Sequence, residues 1–273
     1  MNNEREFRDN LPNFETKKRK YFSLLAVKLK EAFKLHKSFN LLEKNDKGKR
    51  DWGNVSEHCL VVSARTKALS KLIGLSEKTK NDVVLAAGMH DFYKKNQIEK
   101  TPKGVALSMD DYIQSEEEAD EELTKAGIPQ NIIDYVGSTG ALPEAIYKIQ
   151  NILNKGESAS EEEIATLALH YIDDFTKGSA WTKPAEVNSQ GEKINDLNRR
   201  VEDARNNPKY KSIDEEGKKY FDGKTSLDVQ ETVGEFVEEF LAMRITKLRG
   251  IKIDPKDLPT LIDEEIKKEI EKI

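Results

Sequence analysis

The stretch that decides the fold is residues 54–95, which read NVSEHCLVVSARTKALSKLIGLSEKTKNDVVLAAGMHDFYKK. Apolar residues recur in it at the three- and four-residue spacing of a helix, first over residues 55–73 and then over residues 83–89. Between the two runs stands Gly74, and a residue without a Cβ readily adopts the left-handed conformation that ends a helix. The stretch therefore predicts two antiparallel helices joined by a tight turn.

Both predicted helices carry a capping signal where they begin. Asn54 can accept hydrogen bonds from the free N–H groups of the first turn, and Glu57 stands three residues later, as in a capping box. Ser76 offers the same function at the start of the second helix, directly after the turn. The hairpin is therefore expected to have defined ends.

Folding this hairpin brings two histidines to the same level. His58 lies 17 residues before Leu75, which stands at the turn, and His90 lies 15 residues after it. At a rise of about 1.5 Å per residue, both histidines stand about 22 to 26 Å from the turn on neighbouring helices. Asp91 follows His90 directly. Two imidazoles and a carboxylate at one level form half of a site for a divalent metal ion.

The arrangement of these residues resembles the HD-domain superfamily of metal-dependent phosphohydrolases. The resemblance lies in a histidine early in one helix and a His-Asp doublet about thirty residues later, within the motif HDxxK at residues 90–94. In that family a later helix adds an aspartate in a segment shaped like YADxx, which residues 171–173 match. The resemblance covers residues 51–179 and implies four ligands for one divalent ion: His58, His90, Asp91 and Asp173.

The resemblance also implies a reaction, a cofactor and a substrate class. The bound ion is expected to activate water for attack on a phosphate ester, with a nucleotide as the favoured substrate. Manganese, cobalt, nickel, iron and magnesium are the candidate metals. Many family members have further histidines in the region around residues 129–140, and this chain has none there, which favours one metal over two. Lys94 stands where the nucleotidase branch of the family has glutamate, so a simple 5′-nucleotidase is not favoured.

Four further residues are candidates for contact with the reacting phosphate. Lys94, one helical turn after the His-Asp doublet, can pair with phosphate as a point charge and assist catalysis. Asp174 is the candidate base that orients the attacking water, with a carboxylate elsewhere as the alternative. Ser138 and Thr139 can offer hydroxyls and backbone amides to the substrate, the alternative being an ordinary loop that ends a helix.

Other residues have both a functional and a structural interpretation. His170 shares a helix face with Asp173 and either supports the ligands or packs in the core. His36 lies outside the recognised pattern and is expected to be a core or surface histidine. The acidic residues 116–122 are expected to form a solvated helix face. Candidates for contact with a nucleotide, each of which also fits a packing or surface role, are Trp181, Tyr210, Tyr220, Arg199 and Arg200.

Helical periodicity continues along the rest of the chain, and no strand-like alternation exceeds four residues. Later helices are predicted over residues 110–126, 160–176, 192–204, 212–221, 227–249 and 258–273, with others over 21–42 and beginning at Pro129 and Pro143. We therefore predict an all-α protein, an HD-domain helical bundle with extensions at both ends. The predicted divisions are an N-terminal helical extension (1–50), the HD-domain core (51–249) and a C-terminal helix (250–273) that packs on the body or stands free.

Composition sets limits on the class of protein and its partners. Charged residues make up 35% of the 273 and aromatics 7%, which is typical of helices with long solvated faces. The net charge is −5, from 45 basic and 50 acidic residues, so no overall field favours nucleic acid. Without an apolar run of 18 residues or a signal-peptide pattern, no membrane partner is expected and the cytoplasm is the expected location. Cys59 is the single cysteine, which excludes an intrachain disulfide.

Three functional hypotheses follow from the sequence. The first is a phosphohydrolase acting on a small-molecule phosphate ester or nucleotide, since no cysteine or serine motif offers a rival covalent nucleophile. The second is a catalytically silent HD domain that senses a nucleotide or binds a protein partner. The third is a purely structural helical bundle. The predicted helix over residues 227–249 has an apolar stripe and is a candidate face for a homodimer.

Overall fold

The computed structural model describes residues 3–39, 41, 55–94 and 108–273, with the backbone alone given for residues 3–12 and Lys209. Twelve α-helices lie within these ranges and the structure is 75% helical. The one sheet in the described ranges is an antiparallel ribbon of two short strands, in which Glu186 pairs with Ile194. The prediction of an all-α fold is confirmed.

The helices follow one another in the order α1 (Asn3–Lys28), α2 (Lys30–Ser38), α3 (Val55–Leu72), α4 (Glu77–Met89), α5 (Met109–Lys125), α6 (Gln130–Val136), α7 (Pro143–Lys155), α8 (Glu161–Phe175), α9 (Asp196–Arg205), α10 (Lys211–Glu216), α11 (Ser226–Arg249) and α12 (Leu258–Glu271). The ribbon strands β1 (Glu186–Val187) and β2 (Lys193–Ile194) lie between α8 and α9.

The predicted hairpin is formed by α3 and α4. Helix α3 ends at Leu72, and Gly74 adopts a φ of +74°, the left-handed conformation expected of it. Ser76 caps α4, because its side chain accepts a hydrogen bond from the backbone N–H of Thr79. Asn54, the predicted cap of α3, lies outside the described residues. The turn thus sets α3 and α4 side by side, with both histidines at the far end.

Helix α8 is the central element of the bundle. It packs against α3, α4, α7, α9 and α11, and its side chains from Ile164 to Phe175 are buried with the exception of Asp173. Ser160 and Glu163 form the predicted capping box at its first turn, which fixes where the helix begins. Because α8 is surrounded, polar groups near its end must find partners inside the protein.

The last helix, α12, packs on the body. Its buried face includes Ile262, Ile266 and Ile270, and it contacts α1 and α3. Between α3 and α12 a buried ion pair joins Arg65 to Asp263. Of the two arrangements left open for the C-terminal helix, the structure therefore has the packed one.

Two segments near the surface differ from their predicted form. The helix predicted over residues 21–42 is interrupted at Leu29, so that α1 and α2 are separate, and α1 reaches back to Asn3. The helix predicted from residue 192 begins only at Asp196, because residues 193–194 pair in the ribbon and Asn195 caps α9. In the second case strand pairing outweighs local helical spacing, whereas at Leu29 helix-type hydrogen bonds to Leu25 and from Phe33 continue across the break.

The segment after α10 also departs from the predicted helix of residues 212–221. Helix α10 ends at Glu216, and Gly217–Lys219 continue as a tighter 3₁₀ turn. A Cβ on Gly217 would stand only 2.2 Å from the hydroxyl of Ser226 at the start of α11. The backbone approach that closes the bundle here therefore requires glycine.

None of the described helices combines the length and apolar character that crossing a bilayer requires.

Candidate metal centre

Three side chains from three helices meet at one point of the bundle. His58 comes from the first turn of α3, His90 stands directly after α4, and Asp173 lies near the end of α8. The Nε2 atom of His58 is 3.3 Å from Nε2 of His90, and each is 3.2 Å from Oδ1 of Asp173. The level predicted by counting residues from the turn is confirmed.

The spacing of these three atoms fits a metal ion. Donor atoms that surround one ion at about 2.1 Å lie about 3.0 Å apart at right angles and about 3.4 Å apart at tetrahedral angles. The three separations in the structure fall within that interval. Among the described residues, His58, His90 and Asp173 form the group of acidic, histidine or cysteine side chains that can hold an ion. Imidazole and carboxylate are ligands that suit a borderline divalent metal.

The tautomer of His90 directs a lone pair into this point. Its Nδ1 lies 2.8 Å from the carbonyl oxygen of Ala87, and a carbonyl can only accept, so Nδ1 donates. In the neutral ring Nε2 then carries a lone pair, aimed at Nε2 of His58 and Oδ1 of Asp173. Acceptors that face one another need a shared proton or a cation between them.

Electrostatics favour a cation at the same point. Burial would raise the pKa of Asp173, but the imidazoles of His90 and His58 hold it well below its ordinary value. Burial would lower the pKa of His90, and the charges of Cys59, Asp173 and Asp91 nevertheless hold it well above its ordinary value. The surroundings therefore keep the carboxylate ionised and draw a positive charge to the imidazole nitrogens.

Asp91, the fourth predicted ligand, lies at the edge of this group. Its Oδ2 is 3.9 Å from Nε2 of His58 and accepts a hydrogen bond of 2.7 Å from Nζ of Lys94. Burial alone would raise its pKa, and the charges of Lys94 and His90 hold it below the ordinary value. Asp91 is thus an ionised carboxylate next to the three-residue group, and its role as a ligand stays a prediction.

Asp174, the predicted base, is buried beside the candidate ligands. Its Oδ1 accepts a hydrogen bond of 2.7 Å from the Gln230 side chain, and its Oδ2 lies 3.2 Å from Nε2 of His170. That approach is misaligned, so neither Oδ2 nor Nε2 has a hydrogen-bond partner among the described residues. Burial raises the pKa of Asp174 to about 6. A carboxyl group with a pKa near neutrality that lines a cavity suits proton transfer.

The two predicted loop residues have different surroundings. Ser138 is buried, its hydroxyl donates to the carbonyl of Tyr135, and its own carbonyl accepts from Nδ1 of His170 at 2.8 Å. Thr139 lines a cavity, although its hydroxyl donates to the carbonyl of Val136. The structure gives Thr139 access to a ligand and places the hydroxyl of Ser138 in a local bond; contact of either with substrate stays a prediction.

A cavity of about 290 Å³ opens from the candidate ligands. His90, Asp91 and Asp173 line it, together with the cations Lys94 and Arg200. Its apolar and aromatic lining residues include Leu142, Val201, Ile213, Leu227, Tyr112 and Tyr210. The cavity therefore combines charged and apolar surface, as a site for a small amphipathic ligand does.

Several residues with two interpretations now have a defined place. His36 is fully buried and contacts the Ser56 hydroxyl and the Gly88 carbonyl, so it is a core histidine. Trp181 lies against the charged ends of Lys18 and Lys267. Of the remaining candidates for contact with a nucleotide, Tyr210 and Arg200 line the cavity. The other two have structural contacts, since Tyr220 packs against Met109 and Ile213 and Arg199 pairs with Asp196.

Glu116 is a cavity residue that sequence reasoning placed on a solvated face. It lines the space beside Asp91 and Lys94, and burial together with the charge of Asp91 raises its pKa to about 7. A signal for this position exists in the sequence, because Tyr112, Glu116 and the buried Ala119 and Leu123 recur at helical spacing. Glu116 thus falls on the buried stripe of α5, although its charge suggested solvent.

No family model, curated protein or solved structure matches this chain.

Proposed function

We propose that this protein is a metal-dependent phosphohydrolase of the HD type that cleaves a phosphate ester, with a mononucleotide as the favoured substrate. The observation that carries the proposal is the convergence of His58, His90 and Asp173 beside a cavity. The resemblance of the motifs at residues 58, 90–94 and 171–173 to the HD-domain superfamily supports the same conclusion.

The charge of the cavity wall supports metal dependence. Among the described lining residues there are three cations and six carboxylates: Lys94, Lys177 and Arg200 against Asp91, Glu116, Asp173, Asp174, Asp203 and Asp214. An anionic phosphate entering such a space meets a net negative wall, even with Glu116 neutral. A divalent ion held by the imidazoles and carboxylates reverses that balance next to the phosphate.

The residues of the chain have separate roles in the proposed reaction. When bound, the ion supplies Lewis acidity and lowers the pKa of a water molecule. His58, His90 and Asp173 would hold it, with Asp91 as the further candidate ligand. Lys94 donates to the phosphoryl oxygens through the N–H groups that Asp91 leaves free. Asp174, which lines the cavity, is the candidate base that accepts the proton of the attacking water.

The dimensions of the cavity favour a compact substrate. Ligand pockets commonly measure about 300 to 1,000 Å³, and this one, at about 290 Å³, stands at the lower limit. Its apolar walls and the rings of Tyr112 and Tyr210 can receive the sugar and base of one nucleoside. A cyclic dinucleotide or an alarmone with two phosphorylated ends would extend out of that space into solvent.

The proposal is tested on protein stripped of metal with a chelator. A panel of mononucleotides and other phosphate esters is then assayed for phosphate release with added manganese, cobalt or nickel. We expect release only with metal, and its loss on renewed chelation. If a nucleotide binds without release, the chain is a catalytically silent sensor. If it binds no metal, it is a structural helical bundle.

A second part of the proposal concerns partners. We propose a small-molecule phosphate ester as the partner, without nucleic acid, and α11 as the candidate dimer face. Helix α11 leaves Phe236 56% exposed and Met243 61% exposed, which is unusual for side chains of this size. Light scattering after size-exclusion chromatography measures the oligomeric state, and a Phe236→Glu variant should shift a dimer to monomer.

A further inference from the structure

Helix α9 carries three arginines whose surroundings differ sharply. Arg199 donates to Asp196 at 2.8 Å and to the carbonyl of Pro184 at 3.0 Å. Arg205 donates to Asp228 at 2.9 Å and to Glu231 at 2.8 Å. Both guanidinium groups therefore hold α9 in place. Arg200 instead lines the cavity next to the candidate metal centre.

Arg200 has no hydrogen bond or ion pair with any residue in the described ranges. The other two cations of the cavity wall are both engaged, Lys94 with Asp91 and Lys177 with Asp203. Arg200 is nevertheless close enough to Asp174 for its charge to lower the pKa of that carboxyl, against the larger effect of burial. A planar group with five donors is thus directed to the cavity without a protein acceptor.

Asp174, the carboxyl whose pKa the charge of Arg200 lowers, is held by other residues. Its Oδ1 accepts a hydrogen bond of 2.7 Å from Gln230, and its Oδ2 lies 3.2 Å from Nε2 of His170. Asp174 and Arg200 lie on helices that pack together, α8 and α9, and both line the cavity. A guanidinium left without an anion of its own at the wall of a cavity implies that a bound anion completes it.

The chemistry of Arg200 favours phosphate as that molecule. A guanidinium matches phosphate oxygens with two parallel N–H bonds, whereas an ammonium such as that of Lys94 acts as a point charge. Lys94 reaches the cavity from the segment that follows α4, and Arg200 reaches it from α9. A phosphomonoester offers these donors three terminal oxygens and two negative charges, whereas a phosphodiester offers two terminal oxygens and one negative charge.

On the basis of the proposed function, we propose that Arg200 binds the phosphoryl group of the substrate and selects doubly charged phosphomonoesters over singly charged phosphodiesters. Arg200 donates two hydrogen bonds to phosphoryl oxygens, while Lys94 contacts the same group from the segment that follows α4. Removing Arg200 therefore weakens binding of the monoester more than that of the diester.

The test compares Arg200→Met with the matched control Arg199→Met, one residue away on the same helix. Manganese-loaded wild type and variants are titrated with inorganic phosphate by calorimetry. Rates are measured on p-nitrophenyl phosphate and on bis(p-nitrophenyl) phosphate. Arg200→Met should weaken phosphate binding and monoester kcat/KM by about 100-fold or more, because two charge-assisted hydrogen bonds are lost. Manganese content should stay unchanged in both variants, and Arg199→Met should match wild type in phosphate affinity.

Further variants and outcomes separate this inference from the proposed function. Arg200→Lys keeps the positive charge but lacks the two parallel N–H donors of the guanidinium group, so it should have a phosphate affinity between those of Arg200→Met and wild type. Equal phosphate affinities of Arg200→Lys and Arg200→Met would overturn the inference. Unchanged phosphate affinity and monoester preference in Arg200→Met overturn it too, while metal-dependent hydrolysis by wild type stands. If wild type hydrolyses neither ester but loses phosphate binding on Arg200→Met, the Arg200 site stands and the enzyme proposal fails.

Discussion

Two polar clusters lie on the same face of α3, at His58 and at Arg65. The two residues are seven positions apart, which is close to two helical turns, and both are buried, with 6% and 1% of their surface exposed. Each cluster joins α3 to the end of α8, through Asp173 in one case and Thr176 in the other. The comparison shows what separates a structural cluster from a binding site.

The Arg65 cluster is complete. Its guanidinium makes two parallel bonds of 2.9 Å to Asp263 and donates to Thr176 at 3.0 Å and to the carbonyl of Ala180 at 2.9 Å. The backbone N–H of Thr182 adds a further bond to Asp263. Charge and hydrogen-bonding capacity are both satisfied, so this cluster has no use for a ligand.

The His58 cluster is incomplete by comparison. Nε2 of His58 lies 3.3 Å from Nε2 of His90 and 3.2 Å from Oδ1 of Asp173. The hydrogen bond from Nδ1 of His90 to the carbonyl of Ala87 directs the Nε2 lone pair of the neutral His90 ring to the same point. A shared proton or a cation between these atoms completes the group. The Arg65 cluster contains its own cation, whereas the His58 cluster gathers two imidazole nitrogens and a carboxylate around a point that can take one; burial is similar in both.

The largest effect is expected from a variant that disrupts the His58 cluster. Asp173→Ala removes the one carboxylate that contacts both imidazoles, so metal binding should be lost and phosphate release should fall by about 10³-fold or more. The circular dichroism spectrum of the variant should still show the helix content of wild type, because only one candidate ligand is removed. Asp203→Ala, at the cavity wall but paired with Lys177, is the control and should keep its metal. Full metal occupancy in Asp173→Ala would remove Asp173 from the centre.

The next effect breaks the complete cluster. Asp263→Ala leaves the buried charge of Arg65 without its anion, which should lower the free energy of unfolding by about 3 to 5 kcal/mol. Urea unfolding measures this loss, and the folded variant should still bind metal. Glu157→Ala removes a fully exposed ion pair with Lys247 and should leave the urea midpoint unchanged. A wild-type midpoint for Asp263→Ala would contradict the structural role.

A third buried polar group contains a titratable carboxyl. Glu238 on α11 accepts hydrogen bonds from Tyr171 and Asn195, and Nζ of Lys256 lies 3.6 Å from its Oε2. Burial outweighs these interactions and raises the pKa of Glu238 from 4.5 to about 7. A raised pKa gives stability that is present below about pH 4.5 and lost as the pH rises through about 7. The loss amounts to about 3 kcal/mol.

Glu238→Gln should remove that pH dependence, because its amide oxygen keeps both donors without a charge. Urea midpoints at pH 5 and pH 8 should lie closer together in the variant than in wild type. Glu235→Gln is the control with the opposite sign: hydrogen bonds from Lys256 and Asn198 outweigh burial and lower the pKa of Glu235. If the urea midpoint depends on pH equally in Glu238→Gln and in wild type, a group other than Glu238 causes the pH dependence.

The smallest expected effect concerns Lys94, which belongs to neither cluster but pairs with Asp91. Lys94→Ala should lower kcat/KM for the substrate by about 10- to 100-fold, the loss of a charged hydrogen bond, and leave metal content unchanged. Lys177→Ala removes the other lysine of the cavity wall and should have a weaker effect, because Asp203 already engages it. If kcat/KM is the same in Lys94→Ala and wild type, Lys94 does not contact the substrate and its role is the ion pair with Asp91.

The sequence predicted the parts of this molecule that depend on local spacing. Gly74 and Ser76 set the turn, and the count of residues from it placed His58 beside His90. Asp173 came from the resemblance of its motif, since spacing alone cannot bring α8 to α3. Its meeting with both histidines agrees with that expectation.

Other parts of the site depend on packing between distant segments. Arg200 and Gln230 come from helices beyond the recognised region, and their orientation is decided by how α9 and α11 pack on α8. Arg199 and Arg200 look alike in sequence, yet the fold engages one and leaves the other at the cavity. Glu116 was assigned to solvent because its charge outweighed its position on the buried stripe of α5.

The measurement that tests the central claim most directly is anomalous diffraction from a crystal loaded with manganese. We predict one peak per chain, about 2.1 Å from Nε2 of His58, Nε2 of His90 and an oxygen of Asp173. The same crystal has an internal control in the Arg65 cluster, where no peak is expected. Absence of a peak among the three side chains at saturating manganese, or a peak elsewhere in its place, would contradict the account.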